Sequence, residues 1–222
     1  MEQQQRVVGQ QSMPDGVEVL AFDVGETLVD ESRMWAEHAR EVGASPFTLM
    51  AMLGSLIERD RDHREVWAAL GTRRPTRPVL PAPSDFYPDA VECLRAARDV
   101  GLRVGIAANQ PAGVVARLAE LGIRADFLVS SGDLGVAKPA PEFFSAVTRR
   151  AGVGPERIMY VGDRLDNDIR PALAAGMRTA FLRRGPWGLI QSRRHTVAAD
   201  LVLDSLEQLT GLLTERSMGP CP

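Results

Sequence analysis

Apolar runs of strand length occur once near the start of the chain and then repeatedly after residue 100. The first run, at 17–22, is mostly apolar, which is typical of a parallel strand that is buried on both faces. Further runs of this kind lie at 102–107, 127–129, 157–161 and 178–182, with a weaker one at 200–203. The pattern therefore predicts six strands.

Amphipathic stretches with the period of a helix lie between these strands, at 88–100, 111–121, 141–151 and 167–175. Proline in the first turn and glycine just after the last turn are the usual ends of a helix. Because strands and helices alternate, the crossovers should be right-handed and the sheet parallel, with helices on both faces. The sequence thus predicts an α/β fold with a Rossmann-like sheet, in which ligands bind at the carboxyl ends of the strands.

The segment 31–84 interrupts this alternation, since it contains helical patterns without strands. Helices are predicted at 31–42, 46–59 and 63–70, and a connector rich in proline and arginine follows. We interpret the segment as a small α-helical cap that is inserted after the first strand and covers its carboxyl end. Its large apolar residues are expected to form a core of their own: Met34, Trp35, Leu49, Met50, Met52, Leu53, Leu56 and Trp67.

The remaining boundaries follow from composition. Residues 1–15 are polar, rich in glutamine and without periodicity, which predicts a disordered lead-in. The α/β core is assigned to 16–30 and 85–213, and residues 214–222 are assigned to a C-terminal tail.

Composition and charge narrow the possible functions. The chain is 45% hydrophobic and 25% charged, which is typical of a globular protein. A net charge of −3 argues against binding to nucleic acid or to a membrane surface, because both are negatively charged. Two cysteines make neither a disulfide framework nor a metal site, and no apolar run has the length of a membrane span, so a cytoplasmic location is expected. The three histidines are scattered and are interpreted as surface residues.

Polar residues follow several of the predicted strands at the point where each strand ends. They are Asp23, Asn109, Lys138 and Asp163, the last of these in a run that ends at Asp168. Lys138 is the only lysine in the chain. A compact ammonium suits a position between carboxylates and a phosphate better than the flat guanidinium of arginine does.

Four motifs carry these residues: FDVGETL at 22–28, IAAN at 106–109, KP at 138–139 and GDRLDND at 162–168. In order and spacing the chain resembles the haloacid dehalogenase-like hydrolase superfamily from about residue 18 to 213, and among its members the phosphatases with a short helical cap. The resemblance implies a phosphatase that acts on a small phosphorylated substrate with Mg²⁺ as cofactor.

The resemblance also assigns roles to the motif residues. Asp23 would be the nucleophile that forms an aspartyl-phosphate. Mg²⁺ would be held by the carboxylates of Asp23 and Asp163 and the backbone carbonyl of Gly25, with Asp168 orienting ligands or water from nearby. Lys138 would neutralise negative charge on the phosphoryl oxygens.

Two positions depart from the family pattern. Gly25 stands where these phosphatases usually have an aspartate as general acid and base, a role worth about 10²–10⁴-fold in rate. Ala108 stands where a serine or threonine hydroxyl usually binds phosphate, which leaves the backbone amide of Asn109 as a donor. Glu26 is not assigned the acid role, because a shift of one residue in extended chain turns the side chain to the other face. The departures predict slow turnover, and Gly25→Asp is expected to raise it.

Three functions therefore stay open at the level of sequence. The first is the slow Mg²⁺-dependent phosphatase, and the second is a catalytically degenerate protein of this fold that binds a ligand or a partner protein. The third is a haloacid dehalogenase, which needs no metal. The arginine pairs at 73–74, 183–184 and 193–194 are interpreted as solvated surface, and Trp187 as part of a loop near the rim of the site. The substrate and the oligomeric state stay open.

Overall fold

A computed structural model describes residues 11–218 of the chain. Its centre is one sheet of six parallel strands in the order β3-β2-β1-β4-β5-β6. The strands are β1 (Val19–Phe22), β2 (Arg103–Ala108), β3 (Phe127–Ser130), β4 (Ile158–Gly162), β5 (Arg178–Leu182) and β6 (Leu201–Leu203). This confirms the predicted α/β fold, with each strand within two residues of its expected position.

Helices cover both faces of the sheet. Those of the core are α4 (Ala90–Asp99), α5 (Val114–Glu120), α6 (Ser131–Leu134), α7 (Pro141–Ala151), α8 (Arg170–Ala174), α9 (Gly185–Arg194) and α10 (Leu206–Met218). Two apolar clusters lie on opposite faces of the sheet, because successive side chains of a strand point to opposite faces. One cluster joins the strands to α4 and α10, and the other joins them to α7 and α8.

The cap contains α1 (Ser32–Glu41), α2 (Pro46–Glu58) and α3 (Val66–Ala69), the last preceded by a 3-10 turn at His63–Glu65. Its predicted apolar residues do form a separate cluster, which is centred on Trp35, Leu49, Leu53 and Trp67. The rings of Trp35 and Trp67 stack with their centroids 6.2 Å apart.

Helix α9 connects the cap to the core. The sequence was interpreted as a loop around Trp187, but Pro186 and Gly188 lie within the first turn and a half of a helix. Trp187 and Ile190 extend from this helix into the apolar cluster of the cap. The indole of Trp187 is therefore a packing element between the two parts of the fold.

The ends of the core differ from their expected positions. Residues 1–10 of the expected lead-in lie outside the described residues, but the side chain of Gln11 bonds to both the N–H and the C=O of Val202. Met13 is buried in the core, so the packed chain begins by residue 11 instead of 16. At the other end α10 continues to Met218, whereas a tail was expected from 214, and residues 219–222 lie outside the described part.

Among residues 11–218 no helix has both the length and the apolar character that a membrane crossing would require.

Candidate active site

The sheet brings four charged side chains together at the carboxyl ends of its central strands. Asp23 follows β1 and Asp163 follows β4, and these two strands are neighbours. Asp168 is placed by a π-helical turn at Leu165–Ile169, which precedes α8 where the sequence predicted one continuous helix from 167. Lys138 lies in the loop between α6 and α7. All four residues are buried.

Lys138 bridges two of the carboxylates. Its Nζ lies 2.7 Å from Oδ1 of Asp23 and 2.6 Å from Oδ1 of Asp168. Burial opposes the charge on this ammonium, but Asp168 and Asp23 outweigh it and raise the pKa of Lys138 above its ordinary value. The lysine therefore stays charged and fixes the orientation of the Asp23 carboxylate.

The three carboxylates could hold a metal ion. Asp23, Asp163 and Asp168 each offer an oxygen, and these oxygens lie within 4.8 Å of one another. Oδ2 of Asp163 is buried and has no hydrogen-bond partner among the described residues. Burial, Asp168 and Asp23 raise the pKa of Asp163 well above its ordinary value. One ammonium cannot balance three buried carboxylates, and a hard divalent cation with oxygen ligands fits this set.

The side chain of Asn109 fixes the backbone of Lys138. Its Oδ1 accepts a hydrogen bond from the backbone N–H of Lys138 at 2.8 Å, and its Nδ2 donates to the Lys138 carbonyl at 3.0 Å. The amide side chain therefore fixes the loop that carries the ammonium, while it also lines the cavity above the site. Ala108, the last residue of β2, is fully buried and offers no hydroxyl.

The loop after Asp23 is held by Glu26. This residue has a positive φ of 50°, and its backbone N–H donates to the carbonyl of Val29 at 2.8 Å. Its carboxylate accepts from the backbone N–H of Glu31 at 3.0 Å and from the hydroxyl of Tyr87 at 2.7 Å. Both carboxylate oxygens of Glu26 are therefore engaged in holding the loop, and neither is free to act as an acid at Asp23.

The space beside Gly25 is filled by Glu31, a residue that the sequence did not indicate. A Cβ atom at position 25 would lie 2.5 Å from Oε1 of Glu31. Desolvation, Glu26 and Asp23 together raise the pKa of the Glu31 carboxyl to about 8. A side chain at position 25 would therefore compete with the Glu31 carboxyl for the same space, which bears on the expected gain in turnover of Gly25→Asp.

A cavity of about 720 Å³ lies between the cap and the carboxyl ends of the strands. Asp23, Lys138 and Asp163 lie at its base. Aromatic rings and cationic side chains line its upper part: Trp35, His38, His63, Arg64, Trp67, Arg74, Arg77, Arg164 and Trp187. The cavity thus joins a polar base to walls that combine apolar surface with positive charge.

Arg164 is the second lining residue that sequence reasoning missed. Its guanidinium lies over the ring of Trp187, 4.7 Å from the centroid, and pairs with Asp166 at 2.6 Å. The only signal was its position directly after Asp163, because the residue that follows a strand-end aspartate lies near the same edge of the sheet.

Histidines and arginine pairs are placed differently from expectation. His63 is partly buried with its ring against Trp187, and desolvation together with Arg164 lowers the pKa of this imidazole to about 4. Arg74 lines the cavity, so one member of the pair at 73–74 is not simply solvated surface. Arg184 forms an ion pair with Asp89, which makes it a structural residue.

The chain is similar to known hydrolases over most of its length. It matches the family model described as haloacid dehalogenase-like hydrolase over residues 17–176. Glyceraldehyde 3-phosphate phosphatase of Methanopyrus kandleri is 30% identical over 90% of this chain and 98% of that protein. Phosphoglycolate phosphatase 1 of Pseudomonas aeruginosa is 29% identical over 71% of this chain and 57% of that protein. The solved L-2-haloacid dehalogenase of Xanthobacter autotrophicus shares the fold, with a TM-score of 0.62 at 20% identity over 89% of this chain and 98% of that one.

Proposed function

Since this chain belongs to the haloacid dehalogenase-like hydrolases, we propose that it is a Mg²⁺-dependent phosphatase that acts on a small phosphorylated metabolite. The observation that carries the proposal is the buried group of Asp23, Lys138, Asp163 and Asp168 at the base of the cavity. A phosphate that enters from the cavity would meet a carboxylate nucleophile, a fixed ammonium and a set of metal ligands. A cytoplasmic location fits this activity.

Asp23 is the nucleophile in this proposal. Lys138 contacts its Oδ1, which leaves the other carboxylate oxygen to attack phosphorus as the bond to the leaving oxygen breaks. The product is an aspartyl-phosphate, which divides hydrolysis into two easier steps. Water then attacks phosphorus, and inorganic phosphate leaves as the Asp23 carboxylate is restored.

The surrounding charges make that attack possible. Asp23, Asp163 and Asp168, with the backbone carbonyl of Gly25, would hold Mg²⁺. When bound, the cation supplies charge neutralisation, so that a carboxylate and a phosphate can approach each other. Lys138 adds a positive charge that needs no reorientation during the reaction, because Asp168 and the Asn109 side chain hold it in place.

The substrate is proposed to be compact and anionic. Two relatives are named as phosphatases of glyceraldehyde 3-phosphate and of phosphoglycolate, both small phosphate esters. The four arginines of the cavity wall would favour the anionic form of such a molecule, and Arg164 is the one that lies inside the GDRLDND motif, directly after Asp163. Arginine matches phosphate and carboxylate groups with paired donors.

Phosphate release tests the proposal. The purified protein and Asp23→Asn would be given a panel of small phosphate esters and p-nitrophenyl phosphate, each with Mg²⁺ and with EDTA. We expect release that requires Mg²⁺ and is lost in Asp23→Asn. Halide release from short haloacids without metal would favour the dehalogenase function instead. Tight binding of a phosphate ester without turnover would favour a binding protein.

A further inference from the structure

We propose that Glu31 is the general acid and base of this phosphatase, in place of the side chain that Gly25 lacks. The inference rests on the proposed function, since it assigns a residue to that reaction. Glu31 is the residue before α1, the first helix of the cap, so the group would come from the cap segment and not from the motif that carries the nucleophile.

The first argument is position. A Cβ atom on residue 25 would lie 2.5 Å from Oε1, 2.8 Å from Cδ and 3.3 Å from Oε2 of Glu31. The whole carboxyl group therefore lies where a side chain of residue 25 would extend. Glu31 also lines the cavity together with Asp23 and Lys138. A carboxyl group is thus present beside the nucleophile although its motif supplies only glycine.

The second argument is that the backbone of Glu31 is fixed. Its N–H donates to Oε1 of Glu26 at 3.0 Å, and its carbonyl accepts from the N–H of Trp35 at 2.9 Å. Glu26 is held in turn by the hydroxyl of Tyr87. A positioned acid needs such support, because proton transfer requires hydrogen-bond distance to the leaving oxygen.

The other titratable groups of the cavity are less suited to this role. Asp163 belongs to the carboxylate set that could hold the metal. Glu26 has both of its carboxylate oxygens engaged. His38 and His63 lie against the rings of Trp67 and Trp187 in the upper part of the cavity.

The proton balance of the two steps is simple. As the Asp23 oxygen bonds to phosphorus and the P–O bond of the ester breaks, the Glu31 carboxylic acid gives its proton to the leaving oxygen. The resulting Glu31 carboxylate then takes a proton from water as the water oxygen bonds to phosphorus. Inorganic phosphate leaves, the Asp23 carboxylate is restored and Glu31 is again protonated.

Glu31→Gln tests the role with two substrates that differ in leaving group. An alkyl phosphate needs a proton on its leaving oxygen, so kcat/KM should fall about 10²–10⁴-fold. p-Nitrophenolate leaves without a proton, so the first step should survive while the attack of water slows. We therefore expect a burst of one nitrophenolate per enzyme followed by slow turnover, which loss of structure alone would not produce.

Two control variants accompany this test. Glu37→Gln changes a partly exposed glutamate of α1 that pairs with Arg33, and it should behave like the wild type. Asp23→Asn should give no burst, because it lacks the nucleophile.

An exchange of the two positions gives an independent test. Gly25→Asp alone should not raise turnover, because its side chain and Glu31 would compete for one space. The double variant Gly25→Asp with Glu31→Ala should have a kcat/KM at least about 10-fold higher than that of Glu31→Ala alone. A folded Glu31→Gln with wild-type rates on both substrates, or a double variant as slow as Glu31→Ala, would overturn the role of Glu31 alone. A wild-type protein that is inactive on every ester would overturn the proposed function and this inference together.

Discussion

At the scale of single residues, Lys138 combines a charge and a shape that substitution can separate. Its side chain is only 1% exposed and lies between two carboxylates, at 2.7 and 2.6 Å. Lys138→Met should destabilise the metal-free fold by about 3 to 5 kcal/mol, because it leaves buried charges without their partner. Lys138→Arg keeps the charge but misplaces it, so kcat/KM should fall about 10²-fold with a smaller loss of stability.

Urea unfolding and phosphate release on the same preparations measure both effects. An equal loss of stability in the two variants would contradict this separation of charge from shape.

The sequence motifs pointed to the four charged residues at the base of the candidate site, including Lys138 in a loop, but gave no indication of Glu31. Asp23 and Asp163 are placed by strand ends, so a motif and a parallel sheet suffice to bring them together. Glu31 lies eight positions after Asp23, beyond a turn in which Glu26 adopts a positive φ and its carboxylate accepts a hydrogen bond from the Glu31 backbone. Such a turn depends on tertiary contacts, here with Tyr87, that no local pattern contains.

At the scale of elements, α9 is one of three helices of the described residues that the sequence did not predict, together with α6 and α10. Gly185, Pro186 and Gly188 are typical of a turn, but burial of Trp187 in the cap cluster stabilises a helix there. Local propensity is a weak guide when a tertiary contact of this size opposes it. The strands, by contrast, were predicted well, because a strand that is buried on both faces consists mostly of apolar residues and is visible as an apolar run in the sequence.

The packing of α9 gives a prediction with a matched control. A Cβ atom at Gly188 would lie 2.6 Å from the carbonyl oxygen of Leu182, a backbone atom at the end of β5 that cannot easily move. Gly188→Ala should therefore lower the free energy of unfolding by about 1 to 3 kcal/mol.

Gly54→Ala is the control, because Gly54 lies on α2, the cap helix that packs against α9. The nearest atom to its new Cβ is Cδ1 of Ile190 at 3.9 Å, so it should raise the free energy of unfolding by about 0.5 to 1 kcal/mol. Chemical unfolding of both variants provides the measurement, and a loss in Gly54→Ala as large as that in Gly188→Ala would contradict the packing argument.

At the scale of the whole molecule, strand order determines where charge accumulates. The sequence predicted a parallel sheet but not its order, and the order places β1 between β2 and β4. The loops that follow these three strands, which carry Asp23, Asn109 and Asp163, therefore meet beneath the cap. The fold accumulates three buried carboxylates there against one ammonium, which costs stability in exchange for a site that can bind a cation.

That cost predicts opposite effects of one substitution with and without metal. Burial, Asp168 and Asp23 raise the pKa of Asp163, so above about pH 4 the folded state binds more protons than the unfolded chain. Stability contributed by this group therefore falls as the pH rises toward the folded pKa. In EDTA, Asp163→Asn should be more stable than the wild type, by a margin that widens as the pH rises from about 4.

Mg²⁺ should reverse the order. At 100 times its dissociation constant, a cation that binds only the folded state stabilises it by about 2.7 kcal/mol, and Asp163→Asn should lose most of that gain. Asp166→Asn, which alters a half-exposed neighbour paired with Arg164, should respond to Mg²⁺ like the wild type. Thermal midpoints of the three proteins with EDTA and with Mg²⁺ measure the effect. Equal responses of Asp163→Asn and the wild type would mean that the carboxylates at this sheet edge do not hold the metal, whereas the predicted reversal would locate metal binding and electrostatic strain at the same residue.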